Sequence, residues 1–143
     1  MRPRGIRNCN PGNIVREGDR WDGLSASQDE DSRFCVFDDP KYGIRALARL
    51  LLTYHRRRTA ADGSPIDTVA EVIERWAPAS ENDTAAYAAA VREDLGLEAG
   101  DYLDLEDPET LAHFVQAIIA HENGLQPYDD DTIEAAVALA LET

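Results

Sequence analysis

The chain has 143 residues, 43% hydrophobic and 29% charged, enough to bury a core without disulfide or metal staples. Twenty-eight acidic residues against 14 basic ones leave a formal charge of −14, which argues against nucleic acid, whose phosphates such a surface repels. The same charge offers no attraction to anionic lipid or to an anionic cell wall, and no run is apolar for long enough to span a bilayer.

The basic residues are uneven: Arg2, Arg4, Arg7, Arg16 and Arg20 crowd the N-terminus, and Arg45, Arg49, Arg56, Arg57 and Arg58 crowd one segment. A basic half of this kind is able to meet a polyanion while the acidic half faces solvent. Residues 1–20 read as irregular, because Asn8, Asn10, Pro11, Gly12 and Asn13 make a turn-dense run that also offers side-chain amides to a polar ligand. No apolar stretch follows the N-terminal charges, so no secretory signal is expected. Two short strands are expected at 20–24 and 33–37, joined by the polar 25–32 link as a hairpin with Trp21, Phe34 and Phe37 on its apolar face. This region carries Glu17, Asp19, Asp22, Asp29, Glu30 and Asp31, any of which could stand near a cleft.

From Gly43 to about Arg56 the pattern turns helical, with Ile44, Leu47, Leu51 and Tyr54 on one stripe that Leu50 and Leu52 widen. Thr68 and Glu71 form a capping box for a short helix through Trp76, stopped by Pro78. Asp83 caps the next helix, whose inner face takes Tyr87 and Val91 before Gly96 ends it. An acidic loop over 97–106 follows, and then Asp107 and Pro108 open another helix. An Asp131–Glu134 capping box opens the last one, with Ile133, Val137 and Leu141 inside. The expected architecture is one mainly α (α+β) domain over 1–143, with about five helices and a small N-terminal β-hairpin.

The helix from Pro108 carries Leu111, Phe114, Val115, Ile118 and Ile119 on one face, and the next position on that stripe is Glu122. Partial burial and the negative end of the helix dipole both disfavour a charged carboxylate there, the condition a general acid needs. The plainer alternative is a glutamate fraying into solvent just before the Gly124 stop.

Three segments together, 4–14 (RGIRNCNPGNI), Trp21-Asp22-Gly23 and 34–46 (FCVFDDPKYGIRA), resemble a family of phage and secretion-associated proteins with a lysozyme-like fold. That family has Asn where this chain has Cys9; 75–87 and His121-Glu122-Asn123-Gly124 also look like its marks. A fainter similarity is to the peptidoglycan glucosaminidases. Asn10 to Ile14, Trp21, Gly23, Phe34, Phe37 and Tyr54 fall in their order, and Ala77 to Tyr87 suits their later turn. Their leading helix with its catalytic Glu is missing from that place, and the helix ending at Glu122 has its shape at the other end of the chain. A circular permutation would reconcile the two orders.

The resemblance implies a peptidoglycan-degrading glycoside hydrolase of lysozyme or endolysin type, acting on the bacterial wall. Delivery would fall to a holin, a virion or a secretion machine, and no cofactor, nucleic acid or membrane insertion is expected of what should be a monomer. Cleaving a glycosidic bond needs a protonated acid at the leaving oxygen and a second group for water or the oxocarbenium ion. Glu122 and Glu81 are the candidate acids: the first follows an apolar helix, and the second lies in a turn beside Asn82 and Asp83. Asn10, Asn13, Asn82 and Asn123 are expected to bind sugar, with Trp21, Tyr54, Trp76, Tyr87 and Tyr128 stacking on it, although such aromatics also serve as core. His113 and His121 lie eight apart with no third ligand at their spacing, so no metal is expected. Two further readings stay open: a catalytically silent wall-binding or virion structural module, and an all-helical domain whose acidic face binds a basic partner.

Overall fold

Each of the longer helices opens on a side chain that satisfies its first backbone N–H groups. In a computed structural model describing residues 2–18, 20–60, 62–77 and 83–142, a single short turn, α1 (Arg4–Arg7), precedes α2 (Pro40–Arg57), α3 (Val69–Trp76), α4 (Thr84–Leu95), α5 (Pro108–Asn123) and α6 (Asp130–Leu141). Asp39, Thr68, Asp83, Asp107 and Asp129 cap the last five in order, and Pro40 and Pro108 sit where a missing N–H costs nothing. Left-handed Gly96 and Gly124 end α4 and α5.

Three expectations are corrected. Residues 1–20 are not wholly irregular, since Arg4–Arg7 closes a helical turn. The last helix is capped by Asp129, two residues ahead of the expected box. The N-terminal β-hairpin is reduced to isolated antiparallel bridges, Leu24–Phe37 and Val15–Phe34. The physical reason is that side chains occupy the ladder. Gln28 bonds both backbone groups of Val36, at 2.8 Å each. Asp31 accepts from the Arg33 and Phe34 N–H groups at 2.9 Å, and Asn10 donates to the Cys35 carbonyl at 3.0 Å.

The helical body closes on Ile44, Leu47 and Leu51 of α2, Val72 and Ile73 of α3, Phe114, Ile118 and Ile119 of α5, and Ile133 and Val137 of α6, all at most 1% exposed. The acidic loop between α4 and α5 also contributes, because Leu103 and Leu105 are buried and the Leu103 N–H donates to the Asp67 carbonyl. A second, smaller cluster of Ile14, Cys35, Phe37 and Ala46 joins the N-terminal segment to α2, with Trp21 and Trp76 at its edge. Among the described residues no helix is long and apolar enough to cross a membrane.

Candidate active site

Helix α5 delivers Glu122 to the place where the N-terminal segment crosses the helical body. The preceding turns are pinned by Phe114, Ile118 and Ile119, none of them exposed, so the last turn cannot rotate without opening the core. Glu122 itself is half-buried and faces a cleft of about 370 Å³. Gly12, Asn13, Val15, Trp21 and Phe34 of the N-terminal segment line it together with Leu50, Tyr54, Trp76 and Ala77 of the helical body.

Two donors hold the carboxylate. The Tyr87 hydroxyl, from α4, donates to Oε2 at 2.9 Å, and Asn13 Nδ2 donates to Oε1 at 3.4 Å. Burial, then the charge of Glu122 and the hydrogen bond to it, push the Tyr87 phenol far above its usual range, against a smaller opposing bond from Trp76. The phenol therefore stays protonated and remains a donor. His121 stacks on the Tyr87 ring at 3.6 Å between centroids, fixing its plane from the outside. Asn13 adopts a left-handed φ of 53°, which Asn tolerates better than most side chains. Its approach depends on Gly5, where a Cβ would come within 2.8 Å of Asn13 Oδ1 and 2.6 Å of Asn123 Oδ1.

The other expected site residues divide. Trp21 and Tyr54 line the cleft; burial first pushes the Tyr54 phenol up, and the neighbouring Arg75 opposes it. Asn10 does not reach the cleft. Its amide is fully buried, accepting from the Ile14 N–H and donating to the Ile14 and Cys35 carbonyls, so it is spent on folding the segment. Asn123 is likewise turned inward, donating to Pro11 and Ile119 carbonyls at 2.8 and 2.9 Å. Tyr128 packs half-buried against the helical core away from the cleft, and burial pushes its phenol up to about 12. Glu81 and Asn82 lie outside the described residues. Among the described residues no group of three or more His, Cys, Asp or Glu side chains could hold a metal ion.

Among the acids of the N-terminal segment, the structure separates two that the sequence left equivalent. Glu17 is exposed and lines the cleft with Glu122. Asp31 is instead buried under Arg4, which donates to it at 2.5 and 2.6 Å. Arg33, unremarked in the sequence, also lines the cleft. The signal for it was the strand alternation at 33–37, which a broken ladder made unreliable.

No family model matches the chain. Over 134 residues it is 37% identical to Protein P5 of Pseudoalteromonas phage PM2, a match spanning 92% of this chain and 78% of that protein. At that identity and coverage, this chain belongs to the same family as Protein P5 of phage PM2.

Proposed function

We propose that this protein is a peptidoglycan-cleaving glycosidase with a lysozyme-like fold, in which Glu122 is the general acid and Glu17 the assisting carboxylate. The observation that carries this reading is the setting of Glu122. It ends a buried apolar helix, is held by Tyr87 and Asn13, and opens on a cleft walled by Trp21, Tyr54 and Trp76. Aromatic faces suit the apolar faces of sugar rings, and a half-buried carboxyl in their midst is placed to protonate a leaving oxygen. Glu17, exposed at the mouth of the same cleft, is available to activate water or to stabilise an oxocarbenium ion. A relative in a phage is consistent with a wall substrate, since a phage has to pass the host wall. Hydrolysis and lytic transglycosylation use the same acid, and differ in whether water or the sugar's own hydroxyl reaches the anomeric carbon.

The test is clearing of purified peptidoglycan by wild type, Glu122→Gln, Glu17→Gln and Glu81→Gln. Glu122→Gln should lower clearing by roughly two to four orders of magnitude, the size of a general-acid contribution, with Tm unchanged or raised. If Glu81→Gln abolishes clearing while Glu122→Gln keeps more than about a tenth, the acid is Glu81. A wild type that binds peptidoglycan and clears none of it would make the protein a silent wall-binding module.

A further inference from the structure

One arginine lines this cleft, and a second lies over a ring that lines it. The Arg33 guanidinium lies 5.1 Å from the centroid of Phe34, and that of Arg75 lies 5.8 Å from the centroid of Tyr54; both rings line the cleft. Both arginines are exposed, and among the described residues neither has a carboxylate partner. Arg4, Arg45 and Arg56 are paired, with Asp31, Asp22 and Glu106, whereas Arg7, Arg16, Arg57 and Arg58, like Arg33 and Arg75, form no ion pair among the described residues. A guanidinium held over a ring face by its charge keeps its N–H donors free for a planar anion. The Glu17 carboxylate lines the same cleft, so an anionic group is better accommodated beside the arginines than beside Glu17.

We propose that Arg33 and Arg75 are anion-binding subsites that take up carboxylates along an acidic glycan, so that the cleft selects carboxylate-bearing strands over neutral ones. The choice of a glycan rests on the glycosidase reading above. A strand of alternating sugars in which every second one bears a lactyl carboxylate not taken up in a peptide amide offers charges at intervals along its length. A neutral glycan of the same ring structure offers none.

The experiment measures binding of full-length Glu122→Gln protein, which does not consume the ligand, to peptide-free peptidoglycan strands. The strands are used as free acids and after methyl esterification of their lactyl carboxylates. The free acid should bind about tenfold more tightly, each exposed charge pair supplying up to about fivefold. Arg33→Gln and Arg75→Gln should each reduce that ratio, and the double variant should bring it to about one, with Tm and far-ultraviolet dichroism confirming the fold. Equal binding of both strands, binding of neither, or a ratio that survives in the folded double variant overturns the proposal. Clearing by wild type judges the other reading separately. Clearing without discrimination sinks only the subsites, and discrimination without clearing sinks only the glycosidase.

Discussion

The helical body and the N-terminal segment both line one cleft, and each is held by different physics. The body is held by apolar burial: Leu47, Leu51, Phe114 and Ile118 are wholly inaccessible. The described residues between 4 and 38 have little regular structure and are held by buried polar side chains that replace missing backbone partners. Asp31 alone accepts from two Arg4 nitrogens, Asn8 Nδ2 and the Arg33 and Phe34 N–H groups. Burial is non-directional and tolerates small shifts, whereas such a polar network fails when one member is lost. The carboxylate of the site comes from the forgiving side, and the Asn13 that holds one of its oxygens comes from the brittle one.

The largest effect on stability should come at the seam. Gly43 of α2 sits so close to the segment that a Cβ there would lie 1.9 Å from the Cys9 carbonyl oxygen, a backbone atom. Gly43→Ala should destabilise by about 3 kcal/mol, read as a lower urea midpoint, because helix and segment must part. An unchanged midpoint would mean that the segment rides loosely on the body. Next comes Asp31→Asn, expected to cost about 2 kcal/mol, less than a fully buried ion pair because the Arg4 side chain is 45% exposed.

The pH dependence sharpens the same contrast. The Arg4 hydrogen bond first, then the Phe34 and Arg33 N–H groups and Asn8, hold the Asp31 carboxyl far below the usual carboxylate range against the cost of burial. A folded value below the unfolded one of about 4 means stabilisation fully present above that pH and lost as pH falls through the folded value. Below about pH 4, wild type should lose stability more steeply than Asp31→Asn, and parallel slopes would remove Asp31 from the network. The smallest change is in the body: Thr68→Ala removes the cap of α3 and should cost about 1 kcal/mol. Hydrogen exchange should localise that loss to α3, with the segment's amides unaffected.

What the sequence determined by itself was local. The Thr68–Glu71 box, the Asp83 and Asp107 caps, and the Gly96 and Gly124 stops were legible because each links residues within one turn. The apolar stripe of α5 ran directly to Glu122 for the same reason. Tertiary structure alone decided the rest. Glu122 meets Tyr87 from 35 residues away and Asn13 from 109. Asn10 and Asn13, three positions apart in one loop, part company because the buried Ile14 and Cys35 carbonyls claim the first amide while a left-handed φ turns the second toward the cleft. Asp31 and Glu17 were equal in composition, and Arg4 draws one of them inward and leaves the other at the cleft. Caps and periodicity act over four residues, whereas the fate of a polar side chain depends on which backbone groups the whole fold leaves unsatisfied.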